Sequence, residues 1–215
     1  MILCQLSGGY DSVAALIKLL DAGLEVQPVF INYGQVYAAN EEKAVRYVVD
    51  YLKGYDGLHK LKVINTEMEL KLNIPGVVSD YIPIRNLVLA SLTANYAISI
   101  GCKTIAVGSK TAEVRPDDPW SFADCSIEFF KKFSDLVTFA TEDKEPFWTI
   151  MPLIVGGKPL TKTEVIKVIL DSGMDINKLW SCYTDNDVPC WECYHCLENI
   201  KSFEELGYDY RGNLC

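Results

Sequence analysis

Met1-Ile2-Leu3-Cys4-Gln5-Leu6-Ser7-Gly8-Gly9-Tyr10-Asp11-Ser12 opens the chain as an apolar run, a glycine-rich turn and the start of an amphipathic segment. Strand, turn and helix in that order build an anion site. Paired glycines let backbone approach a ligand closely, and the N–H groups of a first helical turn have no intrahelical acceptor. Ser7 and Ser12 bring hydroxyls to the same place, and Asp11 is expected to cap the helix or to help hold a metal. The run is not a Walker A loop, because no Gly-Lys-Ser/Thr closes it, and it lacks the three-glycine spacing of a dinucleotide fingerprint. An ordinary tight strand-to-helix turn is the plain alternative.

The alternation continues downstream. Apolar runs at 26–32, 61–65, 104–108 and 147–151 read as further strands after 1–6. Helical patterns fall at 12–22 (Val13, Leu16, Ile17 and Leu20 on one face, Gly23 ending it), 39–52, 85–100, 124–141 and 162–172, the last capped by Thr161. Asp124 is placed as the cap of the fourth helix. Residues 75–83 and 109–122 read as loops, and the second has the length of a functional one. This order predicts an α/β fold, a doubly wound parallel sheet with helices on both faces. Ligands in such sheets sit beyond the carboxyl ends of the strands, so 7–12, 32–35 and 108–110 are expected to converge on one crevice. The boundaries expected are a nucleotide domain at 1–175 and a cysteine module with a C-terminal helix at 176–215.

Composition narrows the function. The chain has 215 residues, is 49% hydrophobic and carries a net charge of −9. Such a balance argues against stable contact with nucleic acid, which needs clustered positive charge. The uncharged stretch 87–102 is too short to span a bilayer, so no membrane contact is expected. Eight cysteines without a basic-then-apolar leader point to a cytoplasmic, reducing location.

Four of those cysteines, Cys182, Cys190, Cys193 and Cys196, follow C-x7-C-x2-C-x2-C. Four thiolates so close can complete a tetrahedral zinc shell with no open position, which makes the metal structural. An iron–sulfur cluster or a redox pair is the alternative, and His195 could replace one thiolate. Cys4, Cys102 and Cys125 read as buried residues or site neighbours, and Cys215 as a free terminal thiol.

The turn at 7–12 resembles the pyrophosphate loop of the N-type ATP pyrophosphatases, the PP-loop proteins of the adenine nucleotide alpha hydrolase-like fold. Over nearly the whole chain the resemblance sharpens to the 7-cyano-7-deazaguanine synthase family. It rests on Tyr33-Gly34-Gln35, Ile82-Pro83-Ile84-Arg85-Asn86, Trp120 to Cys125 with Phe129 after it, Pro152-Leu153, Lys162, and Ser181-Cys182-Tyr183 before the cysteine cluster. The departures are Val36-Tyr37 where the family shows Arg-His, Ser126 and Asn199 where it shows arginine, and Asn40 where it shows glutamate.

The resemblance implies a ligase that adenylates the carboxylate of 7-carboxy-7-deazaguanine and uses ammonia to reach the nitrile through an amide. It implies Ser7, Asp11, Ser12 and Lys162 in catalysis, with Leu6, Gly8, Gly9 and Gly108 completing the ATP site. It implies Gln35, Arg85, Asn86, Trp120, Phe122 and Asp124 at the deazapurine, Mg2+ with the phosphates, one structural Zn2+ on the four cysteines, and a homodimer. A divergent ligase stopping at the amide or serving DNA modification is one alternative. A non-catalytic nucleotide sensor is the other.

Overall fold

Side chains of β1 (Ile2–Gln5) alternate between two buried layers, Cys4 in one and Leu3 in the other. In β2 (Val26–Asn32), Val26 and Phe30 join the first layer, Val29 and Ile31 the second. Strands buried on both faces read as unbroken apolar runs, and they belong inside a parallel sheet.

The computed structural model describes residues 1–67, 82, 84–111, 122–141 and 145–211. Between and after the first strands come α1 (Tyr10–Asp21), α2 (Ala38–Tyr51), β3 (Lys62–Asn65), α3 (Arg85–Ser99), β4 (Thr104–Ala106), α4 (Ile127–Thr141) and β5 (Trp148–Ile150). A short antiparallel pair, β6 (Ile154–Val155) and β7 (Lys158–Pro159), then leads to α5 (Lys162–Asp171) and α6 (Tyr194–Glu205). The main sheet is parallel throughout, in the order β3-β2-β1-β4-β5. Helices α1, α2, α5 and α6 cover one face, while α3 and α4 cover the other. Strand order reverses between β1 and β4, so the crevice beyond their carboxyl ends is the switch point where ligands bind in such sheets. The fold expected from the sequence is the fold observed.

Three local differences have physical causes. Helix α1 begins at Tyr10, two residues earlier than predicted, because Gly9 is extended and lets the helix start directly behind it. Its cap is Gly9, with no side-chain hydrogen bond, so Asp11 is a first-turn residue and not the cap. Helix α4 starts at Ile127, not at Asp124. Ser126 Oγ accepts from the Phe129 N–H at 3.1 Å, leaving Ala123–Cys125 as a separate 3-10 turn. Asp124 instead caps a different helix, its Oδ2 accepting from the Asn86 N–H at the start of α3. The small β6–β7 hairpin, turning on Gly156 and Gly157 at positive φ, was not legible in the apolar pattern.

The C-terminal segment shares its core with the sheet. Phe203 of α6 is fully buried in the layer of α1 and α5 and stacks on Tyr210 at 4.4 Å. Tyr10 donates to the Tyr210 hydroxyl at 2.9 Å. Among the described residues, no helix is long and apolar enough to cross a membrane.

Candidate active site and metal centre

The loop after β1 is held open by packing on both sides. Gly8 has φ +82°, and a Cβ there would lie 2.7 Å from Ala44 Cβ and 3.0 Å from the Glu41 carbonyl oxygen. A Cβ on Gly108, just beyond β4, would lie 2.9 Å from both Ser12 Cα and Ser12 N. Glycine is required at both points, at the first also by the backbone conformation. Ser7 N–H donates to Ser12 Oγ at 3.1 Å, and Ser12 Oγ donates to the Gly9 carbonyl at 3.0 Å. The hydroxyls thus brace the loop. With Gly9 as an uncapped N-cap, the N–H groups at the head of α1 have no side-chain acceptor, and the helix dipole favours an anion there.

Lys162, the first residue of α5, is buried, and its Nζ lies 2.6 Å from Asp11 Oδ2. A cation at a helix N-terminus is unfavourable alone, and the carboxylate offsets it. The cap predicted at Thr161 forms, and it extends to a full capping box: its Oγ1 accepts from Glu164 N–H, and Glu164 Oε2 accepts from Thr161 N–H. Burial pushes the Asp11 pKa up, but Lys162 and Lys110 outweigh it and hold the group below the usual carboxylate range. Glu198 of α6 bridges the two lysines at 3.7 and 3.6 Å. Asp11 Oδ1 is buried and has no hydrogen-bond partner among the described residues. A hard oxygen left bare beside an anion site fits a magnesium ion accompanying phosphates.

A cavity of about 260 Å³ runs from this loop towards the start of α3. Its far end is aromatic and mixed in charge, lined by Tyr33, Tyr37, Glu41, Arg85 and Tyr183. Tyr37 and Tyr183 stack at 5.5 Å, and the Tyr183 hydroxyl lies 2.6 Å from His195 Nε2. Burial opposes the charge on Arg85, yet the phenols of Tyr33, Tyr183 and Tyr37 more than compensate and raise its pKa. Burial pushes the Glu41 carboxyl up to about 7, against the hydrogen bond from Gln35 and the charge of Arg85. Burial and the nearby Lys162 lower His195 to about 4, so it is neutral at pH 7.

The cavity wall brings together Leu6, Ser7, Gly9, Asp11, Ser12, Gly108, Arg85, Asn86 and Lys162 from the sequence-derived set. Gly8 stands behind the loop against α2. Gln35 does not line the cavity: its Oε1 accepts from Tyr33 N–H at 2.9 Å, and its Nε2 donates to Glu41 Oε2 at 2.6 Å. Phe122 and Asp124 also stand off the wall, Asp124 as the cap of α3. Trp120 lies outside the described residues. Cys125, read as a buried residue or site neighbour, is on the wall, while Glu41, Tyr33, Tyr37, Tyr183 and Trp180 were missed as site residues. Asn40 donates to the Asn186 carbonyl at 3.0 Å, away from the cavity, and Glu41, one residue later, lines it.

Cys182, Cys190, Cys193 and Cys196 bring their Sγ atoms within 4.8 Å of one another. A zinc–sulfur distance of about 2.3 Å gives tetrahedral edges of about 3.8 Å, so the four thiols fit that ion. His195 points to Tyr183 and is not in the group. The cysteine group is tied to the glycine-rich loop by the chain before Cys182: Trp180 N–H donates to the Gly8 carbonyl at 3.0 Å.

A parallel sheet with an uncapped glycine-rich strand–helix turn at its switch point defines an α/β protein with a candidate anion site at the head of α1. More particularly, the chain belongs to the family described as queuosine biosynthesis protein QueC, whose model matches residues 1–207. It is similar to a 7-cyano-7-deazaguanine synthase of Thermoplasma acidophilum, 30% identical over 94% of this chain and 87% of that one. A protein of the same name from Nitratiruptor sp. is 29% identical over 94% of this chain and 93% of that one. Among solved structures, a U34-tRNA thiolase from Methanococcus maripaludis matches with a TM-score of 0.44 and 14% identity, over 95% of this chain and 66% of that chain.

Proposed function

We propose that this chain is an ATP-dependent 7-cyano-7-deazaguanine synthase, a carbon–nitrogen ligase working in queuosine biosynthesis. One observation carries the reading: the phosphate-binding loop and the Arg85–tyrosine compartment are two ends of one cavity. A nucleotide at the first end would present its α-phosphate to an acceptor at the second.

A carboxylate is a poor electrophile, because its charge repels nucleophiles and its oxygen leaves badly. Adenylation of that oxygen corrects both faults. Ser7, Gly8, Gly9 and the head of α1 would hold the pyrophosphate, and Lys162 would meet its growing charge as Asp11 releases part of its hold. Asp11 Oδ1 would ligate Mg2+, which supplies neutralisation of phosphate charge. Arg85 and Asn86 would orient the deazapurine, with Tyr33, Tyr37 and Tyr183 as its apolar walls. Ammonia displaces AMP to give the amide, and a second adenylation, now of the amide oxygen, leads to the nitrile. The cysteine centre, loaded with Zn2+, would hold residues 180–183 over the loop. Positioning and electrostatics supply most of the acceleration.

The test is the product balance. Protein with 7-carboxy-7-deazaguanine, ammonia, Mg2+ and ATP is expected to release AMP and pyrophosphate and to form the nitrile. ADP with phosphate overturns the reading. AMP with an amide product keeps the adenylation and moves the endpoint, and tight ATP binding without turnover leaves a sensor.

A further inference from the structure

The cavity contains two carboxylates among the described residues, and they are held in opposite ways. Asp11 is ion-paired with Lys162 at 2.6 Å. Glu41 makes no ion pair within 4 Å among the described residues. Its Oε2 is fixed by Gln35 Nε2 at 2.6 Å, and Gln35 is fixed in turn by the Tyr33 N–H and the Ile31 carbonyl. The glutamate therefore sits on a rigid mount, at the turn whose carbonyl abuts Gly8 of the phosphate loop. The charged and titratable groups around it are Arg85 from α3 and the phenols of Tyr33 and Tyr37.

The proposed reaction has an unmet need at this point. At neutral pH ammonia arrives as ammonium, which has no lone pair. The other cavity groups are poorly suited to take its proton. Asp11 is held low by its lysine partners, His195 Nε2 is engaged by the Tyr183 hydroxyl at 2.6 Å, and burial pushes the Cys125 thiol up to about 11, where it is not a base. Burial pushes the Tyr33 and Tyr37 hydroxyls up, away from any role as a base, and Arg85 is a cation.

We propose that Glu41 is the catalytic base for the nitrogen step, binding ammonium between its carboxylate and the tyrosine walls and taking a proton from it. This deepens the synthase reading and rests on it. Glu41 accepts one N–H proton, and the freed lone pair attacks the acyl carbon of the adenylate. The carbon–nitrogen bond forms, the carbon–oxygen bond to AMP breaks, and AMP leaves with that electron pair. The surplus proton on nitrogen passes to solvent, and Glu41 returns its own proton to solvent before the next cycle. No oxidant or further reactant is needed. Gln35 is a positioning residue that aims the base.

Glu41→Gln keeps an acceptor for Gln35 and removes the base. The probes are ammonium chloride and hydroxylamine, the second neutral at pH 7 and in no need of deprotonation. Pyrophosphate exchange into ATP, dependent on 7-carboxy-7-deazaguanine, reports adenylation separately. The variant is expected to keep exchange within a few-fold and to lose about 100-fold in the ammonia reaction, while its hydroxylamine reaction stays near that of the parent. In the parent, the rate at low total ammonia should level off above about pH 7, where Glu41 is ionised. In the variant it should keep rising towards the pKa of ammonium. Equal losses with both nucleophiles, or an undiminished ammonia reaction, overturn the proposal while exchange still stands. In the parent alone, a rate that climbs past pH 7 without levelling overturns it too. Absence of exchange in the parent overturns the synthase reading and this proposal with it.

Discussion

The two ends of the cavity are built in opposite ways. The end proposed for phosphate is mostly backbone, a single stretch of six residues whose main-chain N–H groups are set by Gly8, Gly9 and the start of α1. The acceptor end is all side chains, drawn from the turn after β2, from α2, from α3 and from the segment before the cysteine centre. Backbone sites tolerate few substitutions and bind a generic anion. Side-chain sites can be rebuilt residue by residue to fit a particular ligand. The departures that the resemblance marks, at Val36, Tyr37, Asn40, Ser126 and Asn199, all fall outside 7–12, and of these five Tyr37 lines the cavity.

One region joins both ends, and its loss should produce the largest effect. Residues 180–183 bond to Gly8 on one side and stack on Tyr37 on the other. Cys193→Ser is expected to lose its equivalent of zinc by elemental analysis and several kcal/mol of stability by denaturant unfolding. ATP affinity should fall with them. A variant that loses the metal yet keeps both stability and ATP binding would separate the two ends from the centre.

Gly8→Ala should break the phosphate end alone. Its Cβ would collide with Ala44 Cβ at 2.7 Å, in a backbone conformation that side chains rarely adopt. A destabilisation of about 2–3 kcal/mol is expected, with loss of ATP binding by calorimetry. Deazapurine binding, measured separately, should be kept to the extent that the chain remains folded.

Glu41→Gln should sharpen the acceptor end through its pH dependence. The folded chain holds the Glu41 proton up to about pH 7, against an ordinary value of 4.5, so the unfolded chain releases it first. Stability therefore falls as pH rises through that window and levels off above it. The substitution is expected to raise stability at pH 8 by about 1–3 kcal/mol and to leave it nearly unchanged at pH 4.5, as thermal melts at the two pH values would show. An equal shift at both would mean that the carboxyl does not titrate as its burial requires.

The smallest effect lies at the head of α3. Ile84 adopts φ 51°, a left-handed conformation costly for a β-branched side chain, in the segment that presents Arg85. Ile84→Gly should raise stability by about 0.5 kcal/mol, strain relief exceeding the added chain entropy. A loss in the denaturant midpoint would show that the exposed isoleucine contributes packing.

Local chemistry was legible where its residues are neighbours in the chain. The loop at 7–12, the cap at Thr161 and the four thiols all declare themselves by local sequence. Glu41 did not, because nothing in an amphipathic helix distinguishes an acid facing a cavity from one facing water. Gln35 was placed at the substrate for its motif, whereas its amide serves Tyr33 and Glu41. Asp124 was read as the cap of the helix it precedes. Folding delivered it to α3 instead, 38 residues away, and Ser126 took its place.

The sequence by itself determined the parallel sheet, the glycine-rich loop at its switch point and the thiol cluster. Each of these follows from short-range periodicity or from glycine and cysteine spacing, which tertiary packing does not rearrange. Only the tertiary structure decided which acid is ion-paired and which stands apart, and which helix each cap serves. It also decided that the thiol cluster leans on the phosphate loop. Those outcomes depend on distances between residues far apart in the chain, and on the desolvation that packing imposes, neither of which is written in any local pattern.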